Sequence, residues 1–453
     1  MGGVHQSENK LSCAKPIEVL PLPDVVTIPL AQHIGAPAVA KVAKGDRVLT
    51  GQLIAEAGSF MSANIHSPIS GTVTAVDMVV NGQGLRQMMI TIKREGDDWA
   101  EGIDRSETIV RECTLSAQEI VARIKDAGIV GMGGATFPTH VKLSIPPGKK
   151  AESLIINGVE CEPYLTSDHR TMLEHGEELL VGVTILMKAI AVEKAYIGIE
   201  NNKPDAIAHL RRLAQGYKGI EVVPLKVKYP QGGEKQLCQA ITGKQVPPGG
   251  LPANIGCAVF NINTTIAIYH AIKDGMPVVR KVVTVSGSGV VEPKNLECPI
   301  GTPVSLLFDA CGGLKDETYK LIMGGPMMGL AQYDVDVSVG KGTGAMLAFA
   351  DKEEQYVEDP QCIRCGKCVG VCPIRLEPIF MYKYLMKGDV DTWQNVLHGM
   401  DCIECGACTY TCPARLPLTH AFRLGKQEVN NARMAAKAKA EAEAKAAAEK
   451  KEA

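Results

Sequence analysis

Two stretches near the carboxyl end of the chain carry the same cysteine pattern: CIRCGKCVGVCP at residues 362–373 and CIECGACTYTCP at residues 402–413. Their spacing, C-x2-C-x2-C-x3-C-P, is that of bacterial [4Fe–4S] proteins, in which the fourth cysteine of each run ligates the cluster of the other run. The predicted ligands are Cys362, Cys365, Cys368 and Cys412 for one cluster and Cys402, Cys405, Cys408 and Cys372 for the other. We therefore predict a largely helical two-cluster ferredoxin domain over residues 351–425 that carries single electrons.

Zinc is the main alternative occupant of such a cysteine pattern. A structural zinc ion takes four ligands, which usually come as two separated CxxC pairs. Eight cysteines in two copies of one template, each followed by proline, fit zinc poorly. A c-type haem needs the pattern CxxCH, which neither run contains. The other seven of the 15 cysteines show no ligand spacing, and we predict that most of them are buried thiols.

The composition is that of a globular chain, with 453 residues, 22% charged residues and a net charge of −2. At the usual ~150 residues per domain, this length predicts about three domains. The lack of a basic surplus argues against nucleic-acid binding. Residues 1–15 lack the apolar core of a secretory signal. The best apolar run, residues 179–187, is far shorter than the ~20 residues of a membrane-spanning helix.

Turn residues and apolar runs predict a multidomain fold, α/β plus β. A proline-rich extended arm (residues 1–30) precedes short strands (31–100), and an alternation of strands and helices follows (108–275). A smaller mixed region (276–350) leads to an acidic hinge (351–360), and an Ala/Lys/Glu-rich tail (426–453) is a solvated helix or disorder. In the α/β region we predict strands at 154–156, 195–199 and 221–223 and helices at 177–191, 205–215 and 263–273. Ser116 and Glu119 have the spacing of a capping box that begins another helix.

A glycine-rich loop, GMGGATFPTH at residues 131–140, follows an apolar run. It fails the dinucleotide pattern GxGxxG, because Thr136 occupies the third glycine position, and it lacks the GK[ST] of a P-loop. By itself it is a tight turn or a loop that offers N–H groups to a phosphate. Further polar segments at 157–163, 229–235 and 261–265 follow strand-like runs or begin helices, which is how a nucleotide crevice is commonly built.

These segments, in this order, resemble the flavin domain of the NADH-oxidising flavoprotein of respiratory complex I. Residues 16–425 as a whole resemble the C subunits of the Rnf electron-transport complex. The resemblance implies noncovalent FMN, NAD(H) as substrate and two [4Fe–4S] clusters. It also implies that Glu234 lies near the nicotinamide. The residues it places around FMN are Gly131, Gly133, Gly134, Lys142, Asn157, Glu160, Tyr229, Gly232, Asn261 and Thr264.

The two β-rich segments resemble known modules as well. Residues 31–100 are similar to a biotinyl/lipoyl-type barrel-sandwich hybrid, but the central hairpin has Phe60-Met61-Ser62 and no lysine lies between Lys44 and Lys93. A swinging-arm carrier is therefore excluded, and a docking surface is the expected role. Residues 276–350 resemble the β-grasp module that follows the flavin domain in proteins similar to complex I.

The resemblance implies a subunit of a membrane-bound, ion-translocating ferredoxin:NAD+ oxidoreductase complex. Such a subunit passes electrons between its clusters and NAD+ through FMN, and it lies peripherally on the cytoplasmic side of the cell membrane. Its expected partners are membrane subunits and an iron–sulfur subunit that accepts electrons from ferredoxin. Two alternatives stay open at this point: a soluble flavin/iron–sulfur reductase of the cobalamin-reductase kind, and a non-catalytic electron wire or scaffold subunit.

Overall fold

The computed structural model describes residues 2–82, 84–144, 148, 150–350 and 357–452 and, beyond residue 440, only the side chain of Glu443. The chain divides into two compact units. One comprises residues 6–227 and 231–354, and the other comprises residues 1–5, 228–230 and 355–453. Among the described residues, no helix combines the length and the apolar character needed to cross a bilayer.

The larger unit begins with β1 (Ile17–Val19), followed by a small antiparallel β module. Its strands are β2 (Val25–Pro29), β3 (Val39–Ala40), β4 (Arg47–Val48), β5 (Leu53–Glu56), β6 (Ile65–His66), β7 (Gly71–Val80) and β8 (Arg86–Arg94). They form two sheets, in the orders β2-β8-β7-β4 and β3-β5-β6. Alternate residues, such as Val26 and Ile28 on β2 and Ile90 and Ile92 on β8, are fully buried, as expected for strands with one face on a core.

The α/β segment of the same unit is built around a parallel sheet in the order β11-β10-β9-β12. The strands are β9 (Ser153–Asn157), β10 (Ala195–Glu200), β11 (Ile220–Leu225) and β12 (Cys257–Asn261). The helices are α1 (Ala117–Asp126), α2 (Thr139–Leu143), α3 (Ser167–Glu174), α4 (Gly176–Ala189), α5 (Pro204–Ala214), α6 (Glu234–Thr242) and α7 (Ile262–Lys273). Ile155 and Ile156 point to opposite faces of β9 and are both fully buried, because apolar clusters cover the sheet on each side.

The predicted strands and helices of this segment are all present, with ends shifted by a few residues. The start of α1 is confirmed in detail. The Ser116 side chain accepts the N–H of Glu119, and the Glu119 carboxylate accepts the N–H of Ser116 at 2.7 Å. This capping box satisfies two N–H groups that a helix start leaves without partners.

A mixed sheet in the order β1-β14-β13-β17-β15-β16 completes the larger unit. Besides β1, its strands are β13 (Arg280–Ser286), β14 (Lys294–Pro299), β15 (Lys320–Met323), β16 (Leu330–Gln332) and β17 (Ala345–Phe349). Helix α8 (Val304–Ala310) connects β14 to β15. Leu307 and Phe308 of α8 pack with Val283 and Val285 of β13 in one buried cluster.

The N-terminal 30 residues differ from the prediction of a single extended arm. They contain β1, which pairs in parallel with β14, and β2, which pairs with β8 in the β module. Residues 1–5 group instead with the cysteine-rich unit. The apolar residues Val26 and Ile28 explain the difference, because a strand that buries them is more stable than an exposed arm. Residues 351–356 of the predicted acidic hinge lie outside the described residues.

The cysteine-rich unit is helical, as predicted. Its helices are α9 (Lys367–Val371), α10 (Pro378–Met386), α11 (Val390–Asn395), α12 (Ala407–Tyr410) and α13 (Leu418–Glu452). Met381, Trp393 and Phe422 are almost fully buried and form the centre of its core. The predicted tail is the distal part of α13, and the side chains of residues 431–440 are all exposed, which fits a solvated helix without an apolar stripe.

Candidate functional site

The carboxyl ends of β9 and β12 form the centre of the first candidate site. These two strands are neighbours, although β10 follows β9 in the chain, so the strand order reverses between them. In open α/β sheets, ligands bind in the crevice at such a reversal. Asn157 ends β9 and Asn261 ends β12, and the two residues are opposite each other in the sheet register. The structure thus brings together two of the residues predicted to surround FMN.

Both asparagines shape the backbone around the crevice. The Asn157 side chain donates to the carbonyl of Gly232 at 2.9 Å and accepts the N–H of Val159. The Asn261 side-chain oxygen accepts the N–H groups of Asn263 and Thr264 and so caps helix α7. Asparagine suits this position because its short side chain can replace the missing acceptor at a helix start.

The glycine-rich loop lies against the same helix start. It is closed by hydrogen bonds between Gly131 N and Phe137 O, 2.9 Å apart, and between Thr136 N and Gly131 O. A Cβ atom on Gly133 would lie only 3.2 Å from the Asn261 side chain, and Gly134 has a positive φ of 114°. Both positions therefore favour glycine, the first for space and the second for its backbone conformation.

The loop presents free donors to solvent. The N–H groups of Gly133, Gly134 and Ala135 have no hydrogen-bond partner among the described residues, and all three residues are exposed. By contrast, the N–H of the buried Met132 donates to the Thr264 hydroxyl at 2.8 Å. Consecutive unpaired N–H groups beside a helix start form a typical anion-binding concavity. The loop fits a phosphate group.

Lys142 and Glu234 form an ion pair near this loop. The Lys142 ammonium, on α2, donates to the Glu234 carboxylate at the first turn of α6 and to the carbonyl of Val259 at 2.6 Å. Both side chains are partly exposed, at 29% for Lys142 and 39% for Glu234. The structure therefore places together two residues that the resemblance assigns separately to FMN and to the nicotinamide.

Two of the predicted flavin residues are engaged elsewhere. The Glu160 carboxylate accepts the N–H groups of Asp168 at 2.8 Å and His169 at 3.2 Å, and so caps α3, for which the Thr166 side chain makes no capping bond. The Tyr229 hydroxyl donates to the carbonyl of Cys405 at 2.7 Å, within the cysteine-rich unit. The role of both residues at FMN remains a prediction of the resemblance.

Gly232 packs closely on the partly buried thiol of Cys161. Its N–H donates to the Cys161 sulfur at 3.4 Å, and a Cβ atom would lie 3.2 Å from that sulfur. Burial raises the pKa of Cys161 to about 12, so the thiol stays protonated at neutral pH. Cys161 is only partly buried. Four of the seven unpatterned cysteines match the prediction of buried thiols, namely Cys238, Cys257, Cys298 and Cys311.

The sequence did not point to Asp168, which accepts from the Asn261 side chain, or to Lys281, which donates to Met132 of the glycine loop. Burial raises the pKa of Asp168 to about 7 and lowers the pKa of Lys281 to about 8. Asp168 follows the polar segment 157–163, and Lys281 directly precedes two valines in the strand sequence RKVVTVS. A lysine at a core position of a predicted strand was the available signal, since buried lysines are rare unless they are paired.

The second candidate site is a cavity in the cysteine-rich unit. Its lining includes Cys372, Cys402, Cys405 and Cys408, which is the ligand set predicted for one of the two clusters. The Cys372 sulfur accepts the N–H of Leu376 at 3.2 Å, and the Cys402 sulfur accepts the N–H of Glu404 at 3.4 Å. Such N–H donors stabilise sulfur that carries negative charge, as the sulfurs of a bound cluster do.

Burial raises the pKa of Cys405 to about 11 and that of Cys408 to about 12. Cluster assembly must therefore displace protons from these thiols. At the predicted first cluster, Cys412 is among the electrostatic neighbours of Cys368, which agrees with the exchange of the fourth cysteine between the runs. Within the described part of the chain, no three His, Cys, Asp or Glu residues are arranged as a metal site, so both ligand sets remain predictions.

Comparison with known families follows the same modular order. The matching family models are the RnfC barrel sandwich hybrid domain over residues 1–97, the Nuo51 FMN-binding domain over 124–270, the SLBB domain over 282–331 and the 4Fe-4S dicluster domain over 354–413. The predicted fold class is thereby confirmed, and the first match extends through the residues predicted as an arm.

Whole-chain relatives decide the family. The C subunit of the proton-translocating ferredoxin:NAD(+) oxidoreductase complex of Clostridium ljungdahlii is 48% identical, over 83% of this chain and 82% of that protein. The C subunit of the Na(+)-translocating complex of Acetobacterium woodii is 42% identical, over 94% of this chain and 96% of that protein. The chain belongs to this family of C subunits. It is thus an oxidoreductase subunit with an FMN-binding domain and a 4Fe-4S dicluster domain.

The chain is also similar to a third C subunit and to one chain of a solved hydrogenase structure. The C subunit of the ion-translocating oxidoreductase complex of Rhodobacter capsulatus is 43% identical over 86% of this chain and 75% of that protein. Among solved structures, a chain of an NAD+-reducing [NiFe]-hydrogenase in the H2-reduced state is 19% identical, with a TM-score of 0.48. The similarity covers 68% of this chain and 61% of the hydrogenase chain.

Proposed function

We propose that this C subunit passes electrons between NAD(H) and its iron–sulfur clusters by way of FMN, within a complex that exchanges electrons with ferredoxin. The observation that carries the proposal is the row of unpaired N–H groups at Gly133, Gly134 and Ala135, beside the crevice between β9 and β12. The same chain contains the cysteine-lined cavity, so one polypeptide offers sites for both kinds of redox group.

The glycine loop would hold the FMN phosphate through its backbone. Gly131 closes the turn, Gly133 and Gly134 donate N–H groups, and the start of α7 adds its positive end. Around the crevice, the remaining residues of the proposed pocket are Lys142, Asn157, Gly232, Asn261 and Thr264. Bound FMN supplies the exchange between two-electron chemistry at a nicotinamide and one-electron transfer to iron–sulfur clusters.

Glu234 would act on the nicotinamide side of this site. Its carboxylate is partly exposed, and the Lys142 ammonium fixes its direction. A carboxylate there can accept an N–H of the nicotinamide carboxamide and hold the ring in position. The eight patterned cysteines would hold the clusters, with Cys362, Cys365, Cys368 and Cys412 in one set and Cys372, Cys402, Cys405 and Cys408 in the other.

As part of the complex, the protein would lie on the cytoplasmic face of the cell membrane. It would contact membrane subunits and an iron–sulfur subunit that takes electrons from ferredoxin. Ion movement across the membrane would then belong to the membrane subunits, and this chain would supply the redox exchange with NAD(H).

Cofactor analysis of the full chain tests the proposal. After anaerobic reconstitution with iron, sulfide and FMN, we expect about eight irons and about one FMN per chain, from two four-iron clusters and one flavin site. NADH should then bleach the visible absorbance of the clusters. Normal iron content without FMN and without bleaching would instead favour the non-catalytic wire.

Replacing Glu234 by Gln tests the nicotinamide side separately. Because the variant removes the charge that pairs with Lys142, we expect NADH-dependent reduction to slow by about tenfold or more, which corresponds to about 1.4 kcal/mol of lost transition-state stabilisation. FMN and iron content should not change. Stopped-flow absorbance measures the rate, and Glu221→Gln, an exposed carboxylate on β11, is the control. Loss of iron in Glu234→Gln would contradict a role confined to the flavin domain.

A further inference from the structure

A buried lysine from outside the α/β segment contacts the glycine loop. Lys281 belongs to β13 and is only 3% exposed, and its ammonium donates to the carbonyl of Met132 at 2.8 Å. Met132 directly precedes the exposed Gly133. Since the N–H of Met132 is held by the Thr264 hydroxyl, both polar backbone groups of this residue are bound from within the protein.

The contact fixes the orientation of one peptide group. In a trans peptide, the carbonyl of one residue and the N–H of the next point in opposite directions. With the Met132 carbonyl turned toward Lys281, the N–H of Gly133 points away from Lys281, toward the exposed side of the loop. If this peptide were free to turn over, it would present a carbonyl oxygen, which repels an anion, where the cradle needs a donor.

The charge of Lys281 is balanced beneath the loop. A buried ammonium is costly unless a countercharge and hydrogen bonds accompany it. Asp168 is the main attractive electrostatic neighbour of Lys281. The carboxylate of Asp168 accepts from the side chains of Asn261 at 2.8 Å and Asn263 at 2.6 Å. Because Asn261 also caps α7 and borders Gly133, the hydrogen bonds of Asp168 connect this carboxylate to the wall of the crevice.

We propose that Lys281 is a positioning residue of the flavin phosphate site, holding the Met132–Gly133 peptide so that the Gly133 N–H faces the phosphate. The inference rests on the proposed FMN site and adds a residue to it from the neighbouring module. Lys281 lies outside the segment 124–270 that matches the FMN-binding domain and outside the SLBB match at 282–331. The cradle is therefore complete only when β13 is in place.

The test compares FMN with riboflavin, which has the same ring system but no phosphate. In the full chain, wild-type protein should bind FMN more tightly than riboflavin, as measured by quenching of flavin fluorescence. We expect Lys281→Met to weaken FMN binding by about ten- to hundredfold, the usual range for a lost hydrogen bond to a charged group. Riboflavin affinity and iron content should change little, because neither depends on the phosphate cradle.

The matched control is Lys341→Met. Lys341 is also fully buried, and it donates to the carbonyls of Asn64 at 2.6 Å and Gly128 at 2.7 Å, which lie outside the loop 131–140. This variant should lose stability but keep the wild-type ratio of FMN to riboflavin affinity. If Lys281→Met does not fold, Lys281→Gln keeps an N–H donor for Met132 and should show a smaller loss in the same ratio.

The possible outcomes test the proposed function and the role of Lys281 separately. A wild-type chain that binds no FMN would refute the proposed function. A wild-type chain that prefers FMN, together with Lys281 variants that keep the same preference, would refute only the inference about Lys281. An equal change of the ratio in Lys341→Met would also refute it, because the effect would then follow from general destabilisation.

Discussion

The first cysteine run, residues 362–373, and the second, residues 402–413, repeat the same backbone conformations, as do the residues just after each run. Three pairs of equivalent residues have positive φ angles: Arg364 (58°) and Glu404 (55°), Gly366 (73°) and Gly406 (76°), and Arg375 (61°) and Arg415 (54°). Each run also contains a short helix, α9 or α12. The sequence repeat is therefore a structural repeat as well.

The surroundings of the two runs differ. Cys365 of the first run is exposed, whereas its equivalent Cys405 and the following Cys408 are buried. Two contacts cover the second run. The Tyr229 hydroxyl, from a distant part of the chain, donates to the carbonyl of Cys405, and Thr419, at the start of α13, binds the Thr409 hydroxyl at 2.8 Å. The comparison teaches that local spacing sets the ligand loops, while segments far away in the chain set how each cluster is sheltered.

Serine at equivalent positions should give the largest effect. Cys365→Ser and Cys405→Ser each remove one predicted ligand, so each should lose about half of the iron, one four-iron cluster of two. Because Cys405 lies in the buried cavity, its variant should also lower the melting temperature more than Cys365→Ser does, since metal binding there is coupled to folding. Iron analysis and thermal unfolding measure both effects. Equal melting temperatures would show that the difference in burial has no energetic consequence.

Several local features of the fold and of the candidate sites were accessible from the sequence. The eight cysteines and the Ser116–Glu119 capping box act over a few residues, so their spacing alone predicts local structure. The polar strand ends at Asn157 and Asn261 were also predicted, because parallel strands bring their carboxyl ends to one edge.

The remaining features depend on contacts between distant parts of the chain. β1 has the composition of an arm, and only its pairing with β14, nearly three hundred residues later, makes it a strand. Lys281 and Met132 are 149 residues apart, and no periodicity links them. The capping role of Glu160 is a local exception: its carboxylate reaches the start of α3 because of the turn between them, which no capping-box spacing reveals.

The N-terminal residues allow a finer test of how the second cluster is sheltered. Gly3 has a positive φ of 78°, its N–H donates to the carbonyl of Val371 at 2.6 Å, and an added Cβ would collide with the carbonyl oxygen of Tyr229. In Gly3→Ala we expect the predicted cluster with Cys372 as a ligand to lose iron faster to a chelator, by several-fold. The first cluster should lose iron at its normal rate.

Gly102→Ala is the control for backbone strain. Gly102 also has a positive φ, of 84°, but an added Cβ would meet no atom within 4 Å. Both variants therefore carry a similar conformational cost, of about 1 kcal/mol or more, and only Gly3→Ala adds the collision. Similar rates of iron loss in the two variants would mean that the N-terminal residues do not shelter the cluster.

The smallest expected effect concerns a single hydroxyl group. Tyr229→Phe keeps the buried ring and removes only the donor to the carbonyl of Cys405, so we expect a loss of about 1 kcal/mol in the free energy of unfolding and full iron content. The control is Tyr410→Phe in the second run, whose side chain is 54% exposed and should change stability by less than about 0.5 kcal/mol. Denaturant unfolding measures the stability, and the EPR spectrum of the reduced clusters shows whether one cluster is perturbed. Because the lost bond ends on a predicted ligand of the second cluster, only that cluster's signal should shift. A shift in the other signal alone would contradict the assignment of Cys405 to the second cluster, and a shift in both would mean that the lost hydrogen bond does not act on one cluster only.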